Sequence, residues 1–320
     1  MNDSYFSPPF SGVSTFAKFP FSDLDSFKEI EKKIGIIGVP YDMGSTNIPG
    51  SRLAPRAVRS ASTRFSYTVS ANMGGVRSDR SFYDIELGRS TSTLPCFDLG
   101  DVPVFAGDPK ASFASITSIA KKLGEKNILP IWIGGDHAIT SPILEGTCTD
   151  SKVTIIHLDA HMDFWDPADN SDFDHSCCMW RASKMSHIGR IIQFGIRGLN
   201  HSEVLVQNAR NNKVEMFTGL QLAENRFEIL KNLKITGDVY LSIDIDFFDP
   251  SIAPATGTPE VGGGSYQDFK SILNKLDAKN INLIGADLVE VNPLLDGNGT
   301  TANLAARVIM DLVGFTGLRS

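Results

Sequence analysis

The chain has 320 residues, a formal net charge of −7 at pH 7 and an isoelectric point near 5.4. This acidic balance, with no cluster of Lys and Arg to offset it, argues against a nucleic-acid-binding surface. With 42% hydrophobic and 21% charged residues, the composition is that of an ordinary globular protein and excludes the disordered and fibrous classes.

The first 33 residues differ from the rest of the chain. They are rich in Phe but show no strand or helix periodicity before residues 23–27. We interpret residues 1–33 as an N-terminal arm, which packs either on its own domain or on a neighbouring subunit. Residues 34–320 are then expected to form one domain.

Apolar segments that predict buried strands alternate with helical patterns along this domain. The first strand is predicted at residues 34–39, and a strand near residues 97–99 precedes an amphipathic helix at about 111–123. We interpret the polar stretch 80–93 as a surface loop. About eight strands alternating with helices, without a repeat or linker, predict an α/β fold, namely a single three-layer αβα domain with a parallel sheet.

Three of the predicted strands end in side chains that can bind a metal ion. These strand ends are Gly-Gly-Asp-His (134–137), Asp-Ala-His-Met-Asp (159–163) and Asp-Ile-Asp (244–246). Alternate residues of an extended chain point to the same side, so Asp159, His161 and Asp163 would converge. The carboxyl ends of strands are also where open parallel sheets place their ligands.

Four carboxylates and two imidazoles at one point would repel one another and lose hydration unless cations lay among them. Two divalent ions balance four carboxylates. The hard oxygen donors favour Mn²⁺, with Ni²⁺ as the alternative, because a structural zinc site would favour thiolates. We therefore predict a two-metal hydrolytic centre. Its candidate ligands are His137, Asp159, His161, Asp163, Asp244 and Asp246.

The same motifs resemble those of the ureohydrolase family of arginases and agmatinases. The likeness lies in residues 134–137, 159–163 and 242–250, with further matches at 38–42, 257–260 and 289–293. The agmatinase-like branch fits best. The resemblance implies an arginase-like fold, with 34–320 as the catalytic domain, and hydrolysis of a guanidinium substrate to urea and an amine by a metal-bridging hydroxide. It also implies a homo-oligomer, hexamer or trimer, with the arm in the contact.

Roles for individual residues come from this resemblance. His175 matches a histidine that shuttles protons, and Glu290 matches a carboxylate that binds the planar guanidinium through paired N–H···O contacts. Asp163 would both bind metal and hydrogen bond to the hydroxide. The family pattern assigns His137, Asp159, Asp163 and Asp244 to one ion, and His161, Asp159, Asp244 and Asp246 to the other.

Several other polar residues are given structural roles or none. His157, inside a predicted strand, is expected to be a core histidine, and His201 receives no role. Asp136 and Asp249 are expected to accept backbone N–H bonds in turns beside the metal loops. Gly262 to Gly264 do not form a phosphate-binding loop, because no Lys-Ser/Thr follows them.

The chain departs from the agmatinase-like pattern around the substrate entrance. Trp180 and Ile48 stand where family members have Arg, so fewer cationic groups line the rim. This disfavours a distal carboxylate, as in 4-guanidinobutanoate, and suits the distal ammonium of agmatine. Trp180 either restricts the substrate pocket or packs in the first turn of a helix below the site. We predict agmatine as substrate, with putrescine as the amine product, and guanidine or another small guanidino compound, guanidinobutyrate included, as the alternative.

Two other functions are compatible with the motifs and stand as alternative hypotheses. A metal-dependent amide deacetylase would have a related fold, but such sites use fewer carboxylates and one transition metal. A catalytically silent subunit could assemble with an active paralogue, although all the ligands are present.

The adjacent Cys177 and Cys178 are poorly placed for a disulfide, and no run approaches the roughly 20 apolar residues of a membrane span. We therefore expect a cytoplasmic protein without membrane partners.

Overall fold

The computed structural model describes residues 8–27, 32–66, 81–92, 94–147, 149–167, 171–277 and 281–316. Its strands are β1 (Lys33–Gly38), β2 (Ser81–Asp84), β3 (Arg89–Ser92), β4 (Cys96–Asp101), β5 (Ile128–Ile133), β6 (Val153–Leu158), β7 (Ile188–Ile196), β8 (Val214–Thr218), β9 (Gly237–Asp244) and β10 (Ile281–Val289). Eight of them form one sheet in the order β4-β1-β5-β10-β9-β6-β7-β8. Every neighbouring pair in this sheet is parallel.

Helices cover both faces of the sheet. They are α1 (Ala54–Ser62), α2 (Pro109–Glu125), α3 (Thr140–Gly146), α4 (Cys178–Ser183), α5 (Glu203–Asn211), α6 (Gly219–Asn232), α7 (Tyr266–Asp277) and α8 (Thr300–Thr316). Side chains of α1, α6, α7 and α8 pack in one hydrophobic core, and those of α2 to α5 pack in a second. The predicted three-layer αβα domain with an eight-stranded parallel sheet is thus confirmed. No helix in the described part of the chain is long and apolar enough to cross a membrane.

The register of the central strands brings their carboxyl ends together. Leu288 of β10 pairs with Ile133 of β5 and with Ile243 of β9, and Ile243 in turn pairs with Leu158 of β6. These four residues lie at or next to the ends of their strands. Because the strands are adjacent and parallel, the loops that follow them leave the same edge of the sheet side by side.

Residues 80–93 correct one prediction, because part of this stretch is not a loop. Strands β2 and β3 form an antiparallel hairpin apart from the main sheet. Asp84 accepts hydrogen bonds from the backbone N–H groups of Glu86 and Leu87 in the turn. The Asp84 carboxylate also pairs with Lys270 of α7 at 2.8 Å. The sequence suggested a loop because the stretch is polar, and this long-range ion pair is not visible in the sequence.

The described part of the arm, residues 8–27, packs on the domain of its own chain. The side chains of Phe16 and Phe19 are buried in the first core. The backbone N–H of Phe16 donates to Asp98 Oδ2 at 2.7 Å, which ties the arm to β4. Phe10 and Phe21 are exposed, so the predicted contact with a neighbouring subunit stays a prediction.

Candidate metal centre

Gly134 and Gly135, which follow β5, allow the loop that carries His137 to pack closely against a neighbouring segment. A Cβ on Gly135 would lie 1.5 Å from the carbonyl oxygen of Tyr41, so this close approach of two backbones requires glycine. Asp136 then begins a short helical turn, as its Oδ1 accepts from the Ala138 N–H at 3.1 Å and its Oδ2 from the Gly44 N–H at 2.7 Å. Asp136 therefore orders the loop, the role expected from the sequence.

Three of the candidate aspartates use one oxygen to fix the local backbone. Asp159 Oδ1 accepts from the His161 N–H, Asp244 Oδ1 from the Asp246 N–H, and Asp246 Oδ1 from the Ala160 N–H. These bonds hold each carboxylate in one orientation. The other oxygen, Oδ2, is then left to face the histidines.

Carboxylate oxygens of these residues and of Asp163 converge on two imidazole nitrogens. His137 Nδ1 lies 3.1 Å from Asp159 Oδ2, 3.0 Å from Asp163 Oδ2 and 3.2 Å from Asp244 Oδ2. His161 Nδ1 lies 3.0 Å from Asp246 Oδ2 and 3.5 Å from Asp159 Oδ1. All six predicted ligands are therefore close together, and Asp159 contacts both histidines.

Two residues of the site have left-handed backbone conformations that are unusual for side-chain-bearing residues. The φ angle is +47° at Asp163 and +64° at Glu290. The carbonyl of Asp163 accepts from the N–H groups of Met179 and Trp180 in the first turn of α4, at 3.0 and 3.2 Å. The N–H of Glu290 donates to the Gly135 carbonyl at 2.8 Å. These backbone bonds hold both carboxylates in place.

The chemistry of the donor set fits divalent cations. Among the described residues no aligned donor hydrogen bonds to the buried Asp159 Oδ2, although buried carboxylate oxygens normally have a partner. Oxygen and imidazole atoms of His137, Asp159 and Asp163 lie within 4.8 Å of one another, and so do those of Asp159, His161 and Asp246. His157 belongs to the first group as well. A cluster with this oxygen-rich composition could hold metal ions of the Mn²⁺ class.

His157 is fully buried, as expected for a core histidine, but it also touches the cluster. Its Nε2 lies 2.8 Å from Asp159 Oδ2, and its Nδ1 lies 2.9 Å from Gln193 Nε2. The Gln193 amide can only donate through that nitrogen, so His157 Nδ1 is the acceptor and Nε2 carries the proton. The proton is therefore on the ring nitrogen nearer to Asp159, although this N–H is not aligned with Asp159 Oδ2 for a hydrogen bond.

His175 and Glu290 form a buried pair beside the cluster. His175 Nδ1 lies 2.8 Å from Glu290 Oε1, and His175 Nε2 lies 2.8 Å from Thr46 Oγ1. Burial lowers the pKa of His175, but the charge and hydrogen bond of Glu290, together with the charges of Asp136 and Asp163, outweigh burial and raise the pKa to about 10. The same Glu290 oxygen accepts from the His137 N–H at 2.9 Å.

A cavity of about 300 Å³ opens above the cluster. It is lined by Thr46, His161, Met162, Asp163, Trp165, His175, Ser176, Asn200, His201, Asp244 and Thr258. Four predicted site residues are thus exposed to it, whereas His137, Asp159, Asp246 and Glu290 lie behind this surface, at 0–3% exposure. The sequence analysis missed Trp165 and His201. Trp165 is two residues beyond Asp163, so continued alternation of the chain was the signal that could have identified it.

Trp180 lies outside the residues that line this cavity. It sits in the first half of α4, half-buried against the second core, with the Lys184 ammonium 4.8 Å from its ring centre. This placement matches the packing alternative considered for Trp180. The tryptophan that lines the cavity is Trp165.

Comparison with known proteins relates the chain to a family of hydrolases. Residues 32–314 match the family described as the arginase family. Guanidinopropionase of Pseudomonas aeruginosa is 30% identical over 315 residues, covering 96% of this chain and 92% of that protein. Agmatinase of Bacillus subtilis is 30% identical over 288 residues, covering 88% and 91% of the two chains. A crystal structure described as a hypothetical agmatinase from Burkholderia thailandensis superposes with a TM-score of 0.81 at 30% identity, covering 97% of this chain and 92% of the other.

Proposed function

The chain belongs to the arginase family of hydrolases that act on guanidino C–N bonds, and from this premise we propose that it hydrolyses agmatine to urea and putrescine. The observation that carries the proposal is the cluster of two histidines and four aspartates at the base of a cavity that contains no Lys or Arg among its described lining residues. We assign the six residues as ligands of two divalent ions, with Mn²⁺ proposed ahead of Ni²⁺.

The proposed reaction needs a strong nucleophile at neutral pH. Two divalent ions held by His137, Asp159, His161, Asp163, Asp244 and Asp246 would supply it by lowering the pKa of a bound water. The protein fixes the ligand geometry, because each of Asp159, Asp244 and Asp246 is locked through one oxygen by a backbone N–H. Asp163 lines the cavity and is proposed to accept a hydrogen bond from the attacking water.

Glu290 is proposed to orient the guanidinium group. Its Oε1 is fixed by the His137 N–H and by His175 Nδ1, so the direction of the carboxylate is set before substrate binds. A planar guanidinium presents paired N–H donors that match a carboxylate. Glu290 is only 3% exposed, so the substrate would have to reach it beside His175, which lines the cavity.

His175 is proposed to move protons. It is hydrogen bonded on one side to Glu290 and approaches the Thr46 hydroxyl on the other. Thr46 also lines the cavity, so the imidazole and this hydroxyl connect the buried carboxylate to the space where the amine product would leave. A histidine placed in this way can donate a proton to the departing amine, which is the work of a general acid.

The lining of the cavity disfavours an anionic group at the far end of the substrate. Its described residues include no Lys or Arg, and its two carboxylates, Asp163 and Asp244, are assigned to the proposed ions. Trp165 lines the cavity and is 37% exposed, so its ring can contact a cation near the solvent side. A substrate with a distal carboxylate would find no cationic partner there.

A small guanidine is the second candidate substrate. Trp165 lines the cavity and could exclude a long substrate. The loss of room for one methylene changes discrimination between substrates by roughly 1–3 kcal/mol. Guanidino acids are weaker candidate substrates, although the similar guanidinopropionase of Pseudomonas aeruginosa is named for such an acid.

The experiment is a direct comparison of urea release. The purified protein, loaded with Mn²⁺ or Ni²⁺ in parallel, is assayed with agmatine, 4-guanidinobutanoate, 3-guanidinopropanoate, arginine and guanidine. The highest kcat/KM for agmatine supports the proposal, whereas the highest value for guanidine or for an acid assigns a different substrate to the same chemistry.

Sedimentation of the same sample tests the further proposal of a homo-oligomer, a hexamer or trimer, in which the arm contributes to the contact.

A further inference from the structure

A buried carboxylate lies directly behind His137. Asp287 of β10 is fully buried, and none of the described Lys or Arg residues forms an ion pair with it. Three hydroxyl groups bind it instead. Ser242 donates to Oδ1 at 2.7 Å, while Tyr240 and Thr140 donate to Oδ2 at 2.7 and 2.9 Å. Its two oxygens are thus satisfied by hydroxyl donors rather than by a cation.

The direction of these hydrogen bonds determines where the proton of His137 lies. The Ser242 hydroxyl has one hydrogen and gives it to Asp287, since an ionised carboxylate can only accept. Its oxygen must therefore accept from His137 Nε2, which lies 2.9 Å away. Nε2 therefore carries a proton. The neutral tautomer then has its lone pair on Nδ1, the nitrogen nearest Asp159, Asp163 and Asp244, where an ion would replace any proton shared with these carboxylates.

The pairing of two strands of the sheet holds Asp287 and Ser242 next to each other. Asp287 and Ser242 are opposite each other on the paired strands β10 and β9. Ser242, Tyr240 and Thr140 are fully buried, as is His137. His161, in contrast, has a side chain that is 19% exposed and lines the cavity. In the described part of the chain, this network reaches the cluster through His137.

We propose that Asp287 is a positioning residue for metal binding, which acts through Ser242 to fix the tautomer and orientation of His137. This inference rests on the proposed function in one respect, namely that His137 is a metal ligand. A hydrogen-bonded carboxylate behind a histidine raises its basicity as a ligand, and loss of such a partner typically weakens metal affinity by about 10–100-fold. Among the described residues no hydrogen bond connects His161 to Asp287, so the His161-side ion should not depend on Asp287.

Metal affinity, rather than activity, tests the proposal. Mn²⁺ binding is measured by competition with a chelator in the wild type and in the variants Asp287→Asn and Ser242→Ala. Each variant is expected to hold one ion with unchanged affinity and to bind the other about 10–100-fold more weakly. Ser242→Thr keeps a hydroxyl at the bridging position and should restore binding.

Two controls separate positioning from general destabilisation. Tyr240→Phe removes a bond of the same length, 2.7 Å, from the other oxygen of Asp287 and should leave both ions bound with near wild-type affinity. Asp311→Asn alters a buried carboxylate of α8 that is bound to Lys270 and Tyr266 away from the cluster. This variant should lower the melting temperature while still binding two ions.

The outcomes are distinguishable from failure of the proposed function. A wild-type protein that binds fewer than two ions would remove the two-metal centre itself. Two ions in the wild type, with unchanged affinities in both Asp287→Asn and Ser242→Ala, would overturn only the role of Asp287. If Asp287→Asn does not fold, Ser242→Ala together with Ser242→Thr decides the matter.

Discussion

Oε1 of Glu290 lies 2.8 Å from Nδ1 of His175 and accepts a second hydrogen bond, at 2.9 Å, from the backbone N–H of His137. One carboxylate oxygen thus connects the proposed proton shuttle with the loop that presents a metal ligand. Glu290 achieves this from a left-handed backbone conformation, φ +64°, which is costly for a non-glycine residue. The strain lies where the proposed function needs the carboxylate to be fixed.

The first prediction concerns His175. His175→Asn should lower kcat by about 10²–10⁴-fold, the usual contribution of a positioned acid or base. Metal content should not change, because His175 contacts Glu290 and Thr46 and no proposed ligand. His187, which bonds to the Leu144 carbonyl, provides the control: His187→Asn should keep activity. Loss of metal from His175→Asn would instead give this residue a structural role in the centre.

The second prediction concerns Asp246. Asp246→Ala should abolish urea release and leave about one bound ion per chain, because Asp246 Oδ2 is the closest carboxylate oxygen to His161 Nδ1, at 3.0 Å. The far-ultraviolet circular dichroism spectrum should stay that of the wild type, since the changed side chain is a ligand and not part of the hydrophobic core. The control is Asp249→Ala, which removes a carboxylate that holds the N–H groups of Ser251, Gly262 and Gly263. That variant should retain two ions.

Metal binding should weaken as the pH falls. Burial lowers the pKa of His161, but Asp246 and Asp159 raise it to about 12 in the ion-free protein, so this imidazole is protonated at pH 7. An ion must displace that proton, and affinity should change by about tenfold per pH unit for each proton released. Calorimetric titrations in buffers of different ionisation enthalpy count the protons, and a count of zero would contradict the ligand role of His161.

The raised pKa of His161 also affects the stability of the ion-free protein. A rise in pH should lower this stability, whereas it strengthens metal binding. The pKa of His161 in the folded state lies above the usual value of about 6.5 for an unfolded chain. The paired imidazolium therefore contributes its full stabilisation below pH 6.5 and loses it as the pH rises toward 12. Removal of metal at alkaline pH should consequently lower the melting temperature more than removal at pH 6.

The sequence predicted which side chains meet in the cluster better than it predicted their surroundings, for a physical reason. Asp159, His161 and Asp163 lie within five residues directly after one strand, so they stay close together even though the chain is not extended at Asp163, where φ is +47°. The contact of Ser242 with Asp287 depends instead on the pairing of β9 with β10, two strands separated by a helix. That Trp165 lines the cavity and Trp180 does not depends on how the loop after β6 and α4 pack in three dimensions. Neither property can be derived from spacing along the chain.

The fourth prediction concerns the adjacent cysteines. Cys177 and Cys178 are fully buried, and burial raises the pKa of Cys177 to about 12. Since only the thiolate reacts, native protein treated with iodoacetamide at pH 8 should show neither site modified by mass spectrometry. Unfolding in guanidinium chloride should expose both. Rapid stoichiometric alkylation of the native protein would contradict the placement of these thiols.

The last prediction concerns Trp165, which separates the two candidate substrates. If its ring contacts the distal ammonium of agmatine, Trp165→Ala should raise KM for agmatine by a factor that corresponds to about 0.5–2 kcal/mol, with a smaller change in kcat. Guanidine has no distal group, so its KM should be nearly unaffected. Trp180→Ala is the matched control, because Trp180 lies outside the cavity beside Lys184, and its KM for agmatine should equal that of the wild type. If Trp165 instead excludes longer substrates, Trp165→Ala should lower KM for agmatine and for 4-guanidinobutanoate together. An increase and a decrease in KM for agmatine therefore assign opposite roles to the same side chain, and the second result would make a small guanidine the natural substrate.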